Sequence, residues 1–190
     1  MKHLFDTCTF LNELFEPTKL IEVMKSVNNN RDNFLVTDIV MDELVVTKNL
    51  TKEQVKISTG IINTLEMGFK SYENVNAISI SSNKRYKDEF DKIRFAHYFH
   101  VSQKELVRRV KAGEITKEKA NKLKSKDKGE CACIAIAITE PNEFMIVSED
   151  DGKIVEFPEK NIFEIYKKSN KIKVYKYVAW QDIARVKVHI

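Results

Sequence analysis

"DKGECACIAIAITEPNEFMIVSEDD", residues 127–151, runs small apolar residues through a proline-bearing break into a second apolar run that ends on three acids. The first run reads as a helix buried on most sides and the second as a short buried strand. Other parts of the chain repeat the alternation of strand and helix. "KHLFD" (2–6) is a short apolar run ending in an acid, and "NFLVT" (33–37) is another, with "DIVMDELV" (38–45) turning helical behind it. "VNAISIS" (75–81) alternates as a strand does. Between and after these lie helical patterns. One covers "TCTFLNELF" (7–15), one begins at Pro17, and one covers "TKEQVKISTGIINTLEMG" (51–68), which opens on a capping-box pair, Thr51 and Gln54, and is expected to stop near Gly68. A helix near "NIFEIYKKS" (161–169), a strand near "KIKVYKYVA" (171–179) and a short terminal helix complete the chain. Strands separated by helices predict a parallel sheet with helices on both faces. The expected fold is α/β, a three-layer α/β/α sandwich with a central parallel sheet. Residues 84–126, helical, basic and punctuated only by Gly113, are expected as a helical hairpin inserted into one domain spanning residues 1–190.

Composition narrows the function classes. An apolar share of 43% and a charged share of 32% over 190 residues describe a globular chain. No apolar run reaches the roughly 18 residues of a membrane span. Asp6 interrupts any signal-peptide core in "MKHLFDTCTF", so the expected compartment is the cytoplasm, with no membrane partner. Cys8, Cys131 and Cys133 are odd in number and lack zinc-site spacing. His3, His97, His100 and His189 include no i, i+4 pair bracketing a Glu. Charge is uneven. Residues 84–128 hold 15 Lys/Arg against 7 Asp/Glu, a local +8 in a chain of net +4. A basic segment beside an acidic remainder suits a polyanion, although a solvated lysine-rich helical face has the same signature.

In a parallel sheet, the side chains just past the carboxyl ends of the strands converge on one crevice. Asp6 and Asp150 each follow a strand, Glu43 lies one or two turns into the helix behind "NFLVT", and Glu130 lies in the first turn of the helix at 128. Carboxylates brought together repel, and they relieve the repulsion by taking protons or a cation. An oxygen-only ligand set selects Mg²⁺ or Mn²⁺. Such an ion activates water and neutralises charge on a phosphoryl oxygen, which is phosphodiester chemistry. Structural alternatives stand beside this. Asp127 and Glu130 form a passable capping box, Asp38 reads as an N-cap, Asp42 as solvated, and "EDDG" (149–152) as a turn capping the next helix.

The motifs resemble those of PIN-domain nucleases. "LFDTCTFLN" is similar to the family's first motif, "VTDIVMDEL" to the second, "DKGECACIAIA" to the third and "IVSEDD" to the fourth, in family order over residues 3–151. The resemblance implies an α/β/α sandwich and a Mg²⁺ or Mn²⁺ site in which Asp6, Glu43, Glu130 and Asp150 are the catalytic, metal-binding acids. Asp151 and Asp127 are then auxiliary, and Thr7 and Ser148 supply supporting hydroxyls. It also implies cleavage of single-stranded RNA to a 5′-phosphate and a 3′-hydroxyl. Many members are VapC-type toxins silenced by an antitoxin, so the candidate partners are RNA, an antitoxin protein and a second copy of the chain. Residues 84–126 have no counterpart in the family pattern, and Glu130 stands where many members have Asp.

Within the basic segment, Lys117, Lys119, Lys122, Lys124 and Lys126 are the expected holders of the RNA backbone. Tyr86, Phe90, Phe95, Tyr98 and Phe99 are candidate stacking platforms or, alternatively, core of the insertion. Two other readings are open. "FDTCT" and "EDDG" loosely match motifs of HAD-type phosphatases, which need a second Asp where Cys8 stands. A PIN-like module could also bind nucleic acid or protein without cutting.

Overall fold

The computed structural model describes residues 1–45, 51–169 and 172–186. His189, and Lys171 at the start of the expected C-terminal strand, lie outside them. In chain order the elements begin β1 (Lys2–Phe5), α1 (Thr7–Asn12), α2 (Pro17–Asn29), β2 (Asn33–Thr37), α3 (Asp38–Val45), α4 (Lys52–Ser71) and β3 (Val75–Ile78). The basic segment follows as α5 (Lys84–Tyr98), a 3-10 turn (Phe99–Val101), α6 (Gln103–Lys111) and α7 (Lys117–Lys124). Then come α8 (Lys128–Thr139), β4 (Phe144–Val147), β5 (Lys153–Ile154), β6 (Phe157–Asn161), α9 (Ile162–Lys167), β7 (Val174–Tyr175) and α10 (Tyr177–Ala184).

Five strands form one parallel sheet in the order β3-β2-β1-β4-β7, and β5 pairs with β6 in a separate antiparallel hairpin. Register explains the apolar runs read from the sequence. Leu4 lies between Leu35 and Ile146, and Phe5 between Val36 and Val147. Alternate residues therefore feed opposite faces, and both faces are covered. Leu4, Leu35, Phe144 and Ile146 pack with α8 and the basic segment, whereas Phe5, Phe34, Val36 and Val147 pack with α1 to α4 and α10. This is the expected α/β/α layering. β1 is central, with the chain departing to β2 on one side and β4 on the other, so the crevice at the carboxyl ends of β1 and β4 is the natural ligand position. Helix α8 is buried from Cys131 to Ala137, and its small residues let α5 lie close against it.

Several expectations are corrected. The Thr51–Gln54 capping box is present, but α4 runs past Gly68 to Ser71. Gly68 serves close packing, since a Cβ there would lie 2.5 Å from Met24 Sδ. The insertion is three helices instead of a hairpin. Gly113, at φ +73°, breaks it once, and Ser102 breaks it again by capping α6 through Glu105 N–H. The C-terminal strand is only Val174–Tyr175, and residues 177–179 already belong to α10. The hairpin β5–β6 has no counterpart in the sequence expectations. Of the five aromatics, Tyr86 and Tyr98 are buried and Phe90 packs on the core, so only Phe95 (72% exposed) and Phe99 (48%) face solvent. Among the described residues, no helix is long and apolar enough to cross a membrane.

Candidate functional site

Asp6 is the residue on which the site is built. Its N–H donates to Val147 O (3.0 Å), which ties the chain just past β1 to the end of β4, and its side chain is 1% exposed. Oδ2 accepts from the Cys8 thiol (3.0 Å) and the Ser148 hydroxyl (3.1 Å). Oδ1 is buried and has no hydrogen-bond partner among the described residues. Burial pushes the Asp6 carboxyl above the usual carboxylate range, opposed by those two donors and reinforced by the charge of Asp150.

Glu43 reaches the same place from α3. The Thr7 hydroxyl donates to its Oε2, and Gly129 N–H donates to its Oε1 (3.1 Å). Burial raises its pKa to about 7, with the charges of Asp6 and Asp127 adding to the rise and the two hydrogen bonds resisting it. Glu130, in the first turn of α8, is raised well above the usual range by burial and then by Asp6, Asp127 and Glu43. Gly129 explains how these acids meet. A Cβ on it would lie 2.6 Å from Asp6 Oδ1, 2.7 Å from Glu43 Oε2 and 3.3 Å from Thr7 Oγ1. Three oxygens from two segments, the chain after β1 and α3, thus crowd onto the one point of α8 where no side chain stands.

The three acids of "EDD" divide. Glu149 Oε1 accepts from Tyr177 N–H (2.6 Å) at the first position of α10. Asp150 Oδ1 accepts from Gly152 N–H (2.6 Å), closing the turn, while its own N–H donates to Cys8 Sγ and Ser148 Oγ (3.1 Å each). Asp151 is exposed and pairs with Lys176 (3.2 Å). The turn reading of this motif is therefore partly right, with Glu149 capping a helix 28 residues on. Asp150 still lines the cavity of about 370 Å³ that contains Asp6, Glu43 and Glu130, and Asp151 does not.

Asp127 caps nothing: it sits at φ 56°, in the left-handed region, with no side-chain cap bond, and its Oδ2 accepts from Val155 N–H (3.2 Å) at the hairpin while it lines the cavity. At the start of α3, Thr37 Oγ1 accepts from Val40 N–H, and Asp38 Oδ1 accepts from Ile39 N–H (2.9 Å) while the same carboxylate ties down Ser79 and Ile80. Asp42 is exposed. The lysines do not form one stripe. Lys122 and Lys126 line the acidic cavity, Lys117 and Lys124 line a groove between α6 and α7, and Lys119 lines neither. Two participants escaped the sequence. One is Cys8 as a donor to Asp6, signalled only by its place two residues after the acid. The other is Arg94, which donates to Lys126 O (2.8 Å) and covers the Tyr98 ring at 4.5 Å, holding the segment that borders the cavity.

No ion pair among the described residues involves Asp6, Glu43, Glu130 or Asp150. As the side chains stand, no three His, Cys, Asp or Glu groups among the described residues close into a metal-binding set. Comparison with models of protein families, with curated proteins and with solved structures finds no match to this chain.

Proposed function

We propose that the chain is a metal-dependent endoribonuclease acting on single-stranded RNA. One observation carries the reading. Asp6, Glu43 and Glu130 come together beside Gly129, in a crevice at the carboxyl edge of a parallel sheet, with no ion-pair partner among the described residues, and each is driven toward its protonated form. Such a cluster is relieved by protons or by a cation.

The residues fit a hard divalent ion. Every donor is oxygen, and Asp6 Oδ1 is a buried acceptor left open. Asp6, Glu43 and Glu130 would hold Mg²⁺ or Mn²⁺, with Asp150 at the mouth of the cavity. The bound ion would acidify water and neutralise charge on a phosphoryl oxygen. The chain's own groups do the positioning. Ser148 and Cys8 grip Asp6 Oδ2 and leave Oδ1 directed elsewhere, while Thr7 and Gly129 N–H fix both oxygens of Glu43. Lys122 and Lys126, at the same cavity, would hold phosphates. The motif resemblance to PIN-domain nucleases supports the same assignment and adds the expected 5′-phosphate and 3′-hydroxyl ends. A toxin role with an antitoxin partner rests on that resemblance alone. The HAD-type reading loses ground because Cys8, in the place of the required second Asp, serves Asp6 as a thiol donor.

A module that binds without cutting is favoured by one fact, that among the described residues the side chains as they stand form no closed metal-binding set. One experiment separates the two. Purified protein is incubated with end-labelled single-stranded RNA in Mn²⁺, in Mg²⁺ and in chelator, alongside Asp6→Asn. Cutting that needs the ion and fails in Asp6→Asn supports the nuclease. RNA binding with no cutting in any ion supports the module.

A further inference from the structure

The basic segment carries a second concavity, on the side of α7 away from the acids. Helices α6 and α7 enclose a groove of about 310 Å³ whose walls are Leu106, Val107, Val110 and Ala120. Val107 is 42% exposed there, an aliphatic side chain left to solvent. Lys111, Lys117 and Lys124 stand along the groove, and no carboxylate among the described residues lines it. Other cations of the segment pair with acids of the chain: Lys87 with Asp91, Lys92 with Glu89, Arg108 with Glu105 and Glu114, Arg109 with Glu156, and Lys122 with Glu118. None of the three groove lysines has an ion pair among the described residues. Lys117 and Lys124 are seven apart, two turns along one helix face.

We propose that this groove binds an acidic amphipathic helix of a partner protein. An apolar channel between two helices is filled by side chains at i, i+3, i+4 and i+7 of a third, and carboxylates flanking that stripe would meet the three lysines. A nucleic acid matches the charge but brings no aliphatic side chains for Val107 and the half-buried Val110. Helix α7 also separates the two sites, since Lys122 and Lys126 line the acidic cavity whereas Lys117 and Lys124 line the groove. A helix seated here would therefore leave the acidic cavity open. Binding at the groove does not rest on the nuclease reading, and its test needs no RNA cleavage.

The test uses the full chain and a fluorescein-labelled peptide of about 16 residues, with Leu at i, i+3, i+4 and i+7 spacing and Glu at most other positions. A scrambled peptide of the same composition is the control, and binding is read by anisotropy. Saturable binding is expected, at least about tenfold tighter than the scrambled control. It should weaken at least about tenfold in Val107→Glu and in Lys117→Glu/Lys124→Glu, with melting temperatures unchanged because these side chains are exposed. Equal binding of the scrambled peptide, no binding at all, or full binding by Val107→Glu would overturn the proposal. So would displacement by oligouridylate, which would make the groove a nucleic-acid surface, or by dodecanoate, which would make it a site for an anionic lipid. Concentration-dependent self-association abolished by Val107→Glu would assign the groove to a second copy of the chain and overturn it as well.

Discussion

Gly129→Ala sets two physical rules against each other. Gly129 is the second residue of α8 and is buried, so on helix propensity alone Ala should stabilise the chain by up to about 1 kcal/mol. The added Cβ, however, would lie 2.6 Å from Asp6 Oδ1 and 2.7 Å from Glu43 Oε2. Both carboxylates must rotate away, at about 0.5–1.5 kcal/mol each. Glu43 cannot swing without weakening the bond it accepts from Gly129 N–H (3.1 Å) and the one from Thr7, each contributing about 1 kcal/mol. The net is a loss of about 1–3 kcal/mol, and at this chain length each kcal/mol lowers the melting point by roughly 2–4 °C. The ion should suffer more than the fold, because the atom inserted stands where the carboxylates meet. Melting curves of wild type and Gly129→Ala, in chelator and in saturating Mn²⁺, read both effects. Wild type in Mn²⁺ at a hundred times Kd should gain about 2.7 kcal/mol, and the variant should gain little of it. A variant that melts at or above wild type in chelator and keeps the full Mn²⁺ gain would refute the reasoning.

Three further outcomes are expected. In chelator, stability should fall as pH rises from about 4.5 toward about 7, because the unfolded chain releases the Glu43 proton first while the folded chain still holds it. The loss should be about 1–3 kcal/mol after allowance for partial exposure, and Glu43→Gln should flatten the profile of melting temperature against pH. Asp150→Asn keeps an oxygen for Gly152 N–H and removes a charge beside Asp6, so it should melt at or above wild type in chelator yet lose part of the Mn²⁺ gain. Asp150→Ala should melt lower by about 1 kcal/mol, having lost the turn bond. Finally, Lys122→Glu and Lys126→Glu should each cut the salt slope of oligouridylate binding by about 0.7 per phosphate contact, measured by anisotropy in chelator, whereas Lys117→Glu and Lys124→Glu should leave it nearly unchanged.

The layering was legible because the decisive strands are apolar on both sides. "HLF", "FLV" and "FMIV" carry no polar alternation, which is what a sheet covered on both faces requires. Asp6 and Glu130 were legible for a related reason, as acids placed where burial begins. What the sequence could not resolve are choices made by distant partners. Whether Asp127 caps α8 depends on Val155, 28 residues on, which takes its carboxylate instead. Thr37 and Asp38 can both cap α3, and both take a first-turn N–H, but only the fold shows that the Asp38 carboxylate also holds Ser79 and Ile80. Gly68 resembles a helix stop until Met24 is packed against it. Proximity in the lysine run does not give its placement, since Lys117 and Lys124 of α7 line the groove whereas Lys122 of α7 and Lys126, in the turn after it, line the acidic cavity.

Electron paramagnetic resonance of Mn²⁺ tests, without RNA, whether the acids beside Gly129 hold a divalent ion. Free Mn²⁺ gives a six-line signal that fades on binding to protein. Titrated into wild type, it should fade in proportion to one or two bound ions per chain, and titrated into Asp6→Asn of equal fold by circular dichroism it should persist. A wild type that leaves the signal intact, or an Asp6→Asn variant that quenches it equally, would contradict the claim that these carboxylates form a metal centre.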